Sequence, residues 1–215
     1  MKRFILFFFF FMLIILPAAG QRYTDIGVLA GTSMYMGDIN PSNFFYHPAP
    51  LFGGFFRVNI NKRVAVRING NYGSLSGSDE DFPDRQLIGR NPTSFSTSMV
   101  DFNGQVEFNW LPYLTGEDKW LNSIYVSGGI GYTFFTGIPN SSLTIPFGAG
   151  FKINITDRLS TGLELSYRKT FTDEIDRVVD PIENTLINNN DWYSVAALFI
   201  SYKFVKFAGK CPAYN

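Results

Sequence analysis

Apolar and polar residues alternate with a period of two along most of this chain. Residues 52–73 read FGGFFRVNINKRVAVRINGNYG, in which polar side chains such as Arg57 and Arg67 alternate with apolar ones on either side of a turn at 61–63. Successive side chains of a strand point to opposite faces, so this segment predicts a hairpin with one oily and one polar face. Beyond the first 20 residues no segment keeps helical apolar spacing over three turns, and we predict an all-β domain.

Eight segments of this kind predict eight strands. Their approximate bounds are 24–37, 50–60, 64–73, 94–111, 123–135, 143–155, 159–169 and 192–204. An even number of antiparallel strands can close into a barrel, as small outer-membrane proteins do.

The connections between the predicted strands differ in length at the two ends of the sheet. Those at 61–63 and 156–158 are minimal, 74–93 and 170–191 are long and polar, and 112–122 is the one longer connection at the short end. This asymmetry is typical of outer-membrane barrels. We therefore predict an eight-stranded antiparallel transmembrane β-barrel of the cell outer membrane, whose oily face contacts lipid and whose closure leaves no unpaired edge. A secreted soluble sandwich or lipocalin-like barrel is the alternative.

Aromatic residues concentrate near the ends of the predicted strands. Rings at these positions would form girdles at the two membrane interfaces. They are Trp110, Tyr113, Trp120, Tyr125, Tyr132, Tyr167, Trp192, Tyr193, Tyr202 and Phe204.

The polar face of the predicted barrel carries charges that would point into the lumen. Eight strands enclose a space only wide enough for side chains, which argues against an open pore. Counted from the short-turn end, Arg57, Arg67 and Glu107 stand at about one level, and Lys152 stands near Glu164. Guanidinium groups can satisfy a buried carboxylate, so we interpret the charges as a structural plug, with an ion or proton relay as the alternative. The predicted interior network comprises Arg57, Arg67, Asp101, Glu107, Lys152, Glu164 and Arg168.

The N-terminal residues have the organisation of a secretory signal peptide. Two basic residues precede an unbroken apolar run over 4–16, and small residues precede the expected cleavage after Gly20. An uncleaved anchor is the alternative, but the run is short for a membrane-spanning helix. We predict a signal peptide over 1–20, a barrel over 21–204 and a periplasmic C-terminal tail over 205–215.

Composition disfavours several classes of function. The chain has 18 basic and 18 acidic side chains, so it lacks the basic footprint of a nucleic-acid-binding protein. Its one cysteine, Cys211, cannot form an internal disulfide. Its one histidine, His47, lies in a loop beside Pro48 with nothing to fix a nucleophile against it. We predict a non-enzymatic protein without a cofactor or a small-molecule substrate.

Two acidic clusters fall in the long predicted loops. Calcium binding is one interpretation, but the spacing lacks the central glycine and distal glutamate of a calcium loop, so solvated outer loops are favoured. The clusters are Asp79, Glu80, Asp81 and Asp84, and Asp173, Glu174 and Asp176.

Four segments carry a family resemblance. They are TDIGVLAGTSMYMGDINP at 24–41, PAPLFGGFFRVNINKRVAVRINGNYG at 48–73, Arg-Asn at 90–91 and Cys-Pro-Ala-Tyr at 211–214. Together they resemble the PorG-like proteins, the outer-membrane barrel component of the type IX secretion machinery. The resemblance implies a non-enzymatic barrel that anchors a periplasmic ring of PorK-like lipoprotein and PorN-like subunits, while substrate passes through a different, larger barrel.

A periplasmic tail would give Cys211 a role. An unpaired exported thiol points to an intermolecular disulfide or a free reactive group. A disulfide to the ring lipoprotein and an idle tail thiol are the two hypotheses. For the whole protein, the rival function is that of a stand-alone OmpA- or OmpW-like barrel acting in adhesion, envelope stability or passage of small apolar solutes.

Overall fold

The predicted strands are present and close into one barrel. The structure is a computed structural model that describes residues 23–36, 46–78, 94–136, 141–171 and 192–206. Its strands are β1 (Tyr23–Met36), β2 (Ala49–Asn59), β3 (Val64–Ser78), β4 (Ser94–Asn109), β5 (Asn122–Phe135), β6 (Ser142–Asn154), β7 (Leu159–Thr170) and β8 (Trp192–Lys206). Consecutive strands pair antiparallel, and β1 pairs with β8 to close the sheet. This confirms the predicted fold class, and only β3 departs from its predicted bounds by more than two residues, since it continues to Ser78.

Side chains fix the two tight turns. Asn61 Oδ1 accepts backbone hydrogen bonds at 2.7 and 2.9 Å from the residues two and three positions on. Thr156 Oγ1 does the same at 3.3 and 3.0 Å. Short polar side chains that bond the following backbone favour such turns. We call this end of the barrel the short-turn end and the opposite end the long-loop end.

The outer face of the barrel is apolar and the inner face is polar. Large hydrophobic side chains are exposed on every strand, including Ile26, Phe52, Ile68, Phe102, Ile130, Leu143, Leu165 and Leu198. Charged side chains such as Arg57, Glu107 and Lys152 are instead fully buried. A water-soluble barrel would bury the first set and expose the second, so the outer face is built for hydrocarbon. Among the described residues there is no helix long and apolar enough to cross a bilayer.

An apolar layer closes the lumen towards the long-loop end. It contains buried residues from six strands that pack as one cluster. They are Tyr35, Leu51, Leu75, Met99, Phe135, Tyr193, Val195 and Ala197. Because large side chains meet across the barrel here, this level is filled with packed rings and aliphatic groups.

The aromatic positions divide between the two faces. Trp110, Trp120, Tyr132, Tyr202 and Phe204 are exposed, as girdle residues would be. The girdle prediction is wrong for Tyr113, Tyr125 and Tyr193, which are buried inside the barrel. On β5 and β8 the odd-numbered residues point inward, so alternation along the strand places the rings of Tyr125 and Tyr193 inside, whereas Tyr113 lies in the connection between β4 and β5.

One break in the sheet lies between β5 and β6. Pairing runs from Asn122 to Gly128, lapses at Gly129 and Ile130, and resumes at Gly131 in the same register. Pro146 is the residue that would face Gly129 there, and it has no N–H to donate to a ladder. The break therefore follows from the covalent structure of proline.

Candidate functional site

A single carboxylate, Glu107, lies at the centre of a buried charge cluster near the short-turn end. Its Oε2 lies 2.7 Å from Lys152 Nζ and 3.3 Å from Arg57 Nη1, and its Oε1 lies 3.2 Å from Arg67 Nη1. Arg57 and Arg67 are direct register partners on β2 and β3. Like charges directly opposite each other repel, so Glu107 stabilises a pairing that would otherwise be unfavourable.

Two further carboxylates balance the cluster. Asp25 Oδ2 on β1 accepts from Arg57 Nε at 2.7 Å. Glu164 Oε2 on β7 lies 2.7 Å from Arg67 Nη1 and accepts from the Tyr125 hydroxyl at 2.7 Å. The contacts of Arg67 Nη1 are ion pairs rather than aligned hydrogen bonds, since this atom has no acceptor in hydrogen-bonding geometry. We call Asp25, Arg57, Arg67, Glu107, Lys152 and Glu164 the lower network, in which three cations meet three carboxylates.

Aromatic rings surround the cations of the lower network. The guanidinium carbon of Arg57 lies 5.3 Å from the ring centroid of Phe55 and 5.8 Å from that of Phe199. Lys152 Nζ lies 4.6 Å from the ring centroid of Tyr125. Phe55, Tyr125 and Phe199 form a buried cluster of their own. Cation–π attraction is strongest where the cation has lost its water, so these rings support the buried charges while filling the lumen.

A second polar cluster lies nearer the long-loop end. Arg168 Nε lies 3.0 Å from Asp101 Oδ2. The same carboxylate oxygen accepts from Asn71 Nδ2 at 3.0 Å and from Asn103 Nδ2 at 2.8 Å. We call Asn71, Asp101, Asn103 and Arg168 the upper network. Each of its donors converges on one carboxylate, an arrangement that stabilises a buried negative charge.

Gln105 joins the two networks. Its side-chain amide donates to Asn103 Oδ1 at 2.8 Å, and its carbonyl accepts from Arg67 Nη2 at 2.9 Å. A chain of direct polar contacts therefore runs through the lumen from β3 to β7. The structure places all seven sequence-predicted interior residues along this chain or in the clusters at its ends.

Lys152 and Glu164, which the sequence placed near each other, do not form an ion pair with each other. Lys152 contacts Glu107, while Glu164 contacts Arg67 and Tyr125. The reason is the stagger of the strands, which sets Lys152 opposite Gly162 and leaves Glu164 opposite Gly150. The missing side chain at Gly150 is what admits the Tyr125 ring, against which a Cβ at this position would collide.

The connection between β4 and β5 turns inward and covers the short-turn end of the lumen. Within residues 110–121, which we call the cap, Tyr113, Leu114 and Thr115 are buried. Thr115 Oγ1 donates to Asp25 Oδ2 at 2.9 Å. Burial raises the pKa of the Tyr113 phenol, so its hydroxyl stays a neutral donor even well above pH 7. The cap is thus bonded directly to the lower network.

The end of β6 and a left-handed backbone hold the cap in shape. Asn154 Oδ1 accepts from the Tyr113 hydroxyl at 2.6 Å, and its Nδ2 donates to two cap carbonyls at 2.9 and 3.0 Å. Gly116 has φ +65°, and a Cβ there would also meet the Asp157 carbonyl. Trp120 adopts φ 65° too, with its ring exposed. Non-glycine residues rarely occupy this region, so the surrounding bonds determine the conformation.

Asp25 and the cap were missed by sequence reasoning. Asp25 lies at an inward position of β1, and the apolar residues Ile26 and Val28 at the alternate, outward positions would have revealed its face. The cap had two visible signals, its unusual length for the short-turn end and Gly116 within it. Neither signal shows whether such a segment folds into the lumen or away from it.

The remaining candidates lie apart from the lumen or beyond the described residues. The His47 ring lies 4.4 Å from that of Tyr46 in edge-to-face contact. The signal peptide over 1–20, Cys211 and the acidic clusters at 79–84 and 173–176 lie outside the described residues. Within the described part of the chain, no three metal-ligating side chains come together.

The fold and its interior define a small outer-membrane β-barrel whose lumen is filled and capped. A family model described as "Domain of unknown function (DUF6089)" matches residues 2–214, and the chain belongs to that family. No curated protein matches the sequence.

Several solved structures are similar in outline. The N-terminal β-barrel domain of Pseudomonas aeruginosa OprF shares 14% identity at a TM-score of 0.44, covering 84% of this chain and 97% of its own. Ail, the attachment invasion locus protein of Yersinia pestis, shares 13% identity at a TM-score of 0.44, covering 86% of this chain and 99% of its own. The outer membrane protein OprG of Pseudomonas aeruginosa shares 10% identity at a TM-score of 0.45, covering 86% of this chain and 96% of its own. Similarity at this level says nothing about what this chain binds.

Proposed function

We propose that this barrel is a non-enzymatic outer-membrane subunit of the type IX protein secretion machinery, which anchors a periplasmic lipoprotein ring at the outer membrane. The observation that carries the proposal is the closed lumen. The lower network and its aromatic rings fill the barrel, and the cap covers one end. A barrel closed in this way acts through its outer surfaces rather than as a conduit.

The cap supplies an ordered surface for such a role. Outer-membrane barrels place their short turns in the periplasm, so in this proposal the cap faces the ring. Leu111 and Trp120 are exposed on it, beside the salt bridge between Lys62 and Glu117. Exposed apolar and aromatic groups rimmed by charge are typical of protein–protein contacts.

The type IX assignment rests on the family resemblance at 24–41, 48–73, 90–91 and 211–214. That resemblance makes a PorK-like lipoprotein and a PorN-like subunit the expected partners. In this proposal the residues that follow β8 extend into the periplasm, where Cys211 forms a disulfide with the ring lipoprotein.

Co-purification tests the proposal. A tagged barrel, extracted from its own host in mild detergent, is expected to bring down the ring proteins, and its deletion is expected to abolish type IX secretion. Trp120→Ala should weaken the co-purification, whereas Trp192→Ala at the long-loop end serves as the matched control and should not. A stand-alone barrel of the OmpA or OmpW kind would bring down no ring protein, and its loss would leave secretion intact.

The disulfide has its own test. Non-reducing gels of intact cells should show a shifted band that collapses on reduction and is absent in Cys211→Ser. A parent band identical to that of Cys211→Ser would refute the disulfide. The anchoring role would still be tested separately by the co-purification.

A further inference from the structure

One charged side chain lies on the described part of the outer face. Among the outward-facing strand positions whose side chains the structure describes, Lys169 on β7 is the one that is charged at neutral pH. A charged side chain facing hydrocarbon costs about 2–4 kcal/mol at the bilayer midplane and far less near the interfaces. The placement of Lys169 along the barrel axis therefore decides what it contacts.

Lys169 lies near the long-loop end of the outer face. It lies ten residues along β7 from Leu159, which at about 3.3 Å per residue and a tilt of about 40° is a height of about 25 Å. That height matches the apolar band of an outer-membrane barrel. Placing Leu159 at the short-turn edge of the band puts the lysine near the headgroups of the leaflet at the long-loop end.

Aromatic rings lie beside and below the lysine. Lys169 is the register partner of Trp192 on β8, and its Nζ lies 5.2 Å from that ring's centroid. The Trp192 ring meets Phe147 edge to face at 6.0 Å, and Phe147 stacks on Tyr167 at 5.9 Å. We call Lys169, Trp192, Phe147 and Tyr167 the outer patch. It combines one cation with a contiguous apolar surface directly beneath it.

Within the described residues, no carboxylate shares this part of the barrel surface. Four of the described carboxylates are buried in the lumen, namely Asp25, Asp101, Glu107 and Glu164. The others, Glu117, Asp118 and Asp157, lie in connections at the short-turn end. A cation at this depth, far from these carboxylates, is complementary to lipid phosphate, which is the anion that a bilayer supplies at headgroup level.

We infer that the outer patch binds the phosphate of an outer-leaflet lipid, with Lys169 paired to the phosphate and the three rings packed against the acyl chains below it. Basic side chains attract anionic headgroups at a membrane surface, and amphipathic rings settle at the same depth. The rival reading is a lysine that merely extends to water and prefers no lipid.

Tryptophan quenching tests the inference at the site itself. The chain has three tryptophans, so Trp110→Phe with Trp120→Phe leaves Trp192 as the sole reporter. The barrel is reconstituted in phosphatidylcholine vesicles containing brominated phosphatidylglycerol or brominated phosphatidylcholine. The anionic lipid is expected to quench Trp192 with about a fivefold preference over the neutral one. Lys169→Gln should abolish the preference, and Lys169→Arg should keep it.

A second reporter provides the matched control. Lys119 Nζ lies 5.7 Å from the Trp120 ring at the short-turn end, so Trp110→Phe with Trp192→Phe reports that lysine–tryptophan pair. Lys169→Gln should leave the lipid preference at Trp120 unchanged. Heat-modifiable gel migration checks that each variant is folded.

Any of four results would overturn the inference. Equal quenching of Trp192 by the two lipids would show that there is no phosphate preference, and a preference that survives Lys169→Gln would place it elsewhere. Loss of preference at both tryptophans would reveal a general charge effect. Free inorganic phosphate should compete no better than chloride of equal ionic strength, and specific competition by it would make the ligand a soluble anion instead of a lipid.

Discussion

Replacing Glu107 by glutamine should destabilise the barrel more than any change to an exposed charge. The substitution keeps the size of the side chain and removes its negative charge. Three buried cations then face two carboxylates, because Glu107 is the shared partner of Arg57, Arg67 and Lys152. The lower network would carry an uncompensated positive charge in a site with no exposure.

The expected loss is large on the scale of protein stability. Removing one partner of a buried ion pair costs about 3–5 kcal/mol, since the remaining charge stays desolvated. Three contacts converge on Glu107, so we expect about 4 kcal/mol from Glu107→Gln. The double variant Glu107→Gln with Lys152→Met restores the charge balance and should recover part of this loss, because replacing both partners of a buried pair is often close to neutral.

Urea unfolding in lipid vesicles, followed by tryptophan fluorescence, measures these free energies. Glu117→Gln is the control, because Glu117 Oε1 lies 2.6 Å from Lys62 Nζ in a salt bridge of the same type. Its partners are exposed, with 55% of the Lys62 side chain and 30% of the Glu117 side chain accessible. The control should lose about 0–1 kcal/mol. If Glu107→Gln is as stable as Glu117→Gln, the lower network does not contribute as its contacts indicate.

Three further predictions concern other parts of the barrel. Ile68→Arg, on the outer face of β3, should cost about 2–4 kcal/mol in vesicles, and equal stability of Ile68→Arg and Ile68→Leu would mean that this face does not meet hydrocarbon. Gly150→Ala should lower the urea midpoint, because the added Cβ meets the Tyr125 ring, whereas an unchanged midpoint would show that the ring moves freely. Tyr113→Phe should cost about 1–2 kcal/mol through the lost bond to Asn154, and an unchanged unfolding curve would argue against a cap bonded to β6.

The strands were predictable because the lipid-facing and lumen-facing sides of the barrel require apolar and polar residues in strict alternation. Arg57 and Ile68 lie on opposite faces as the period of two requires. Strand bounds followed from turn residues such as Asn61 and Thr156, whose side chains bond the backbone ahead of them. Local sequence features were therefore sufficient to predict both the faces and the bounds of these strands.

The contacts inside the lumen were less predictable, because they depend on stagger between strands. Counting residues from the short-turn end grouped Arg57, Arg67 and Glu107, which do meet, but did not reveal that Lys152 pairs with Glu107. Register is a property of two strands together, and a shift of two residues keeps every side chain on its face while changing its neighbours. The cap had the same difficulty, since its burial depends on bonds to the distant Asn154.

Conductance across a planar bilayer tests the central claim, a barrel that is closed and works through its surfaces. The folded, reconstituted protein is predicted to give no steady open-channel current, because packed side chains and the cap occupy the lumen. A stable, ohmic conductance of the parent protein would show that the lumen is open, since ions could not cross a barrel filled by packed side chains.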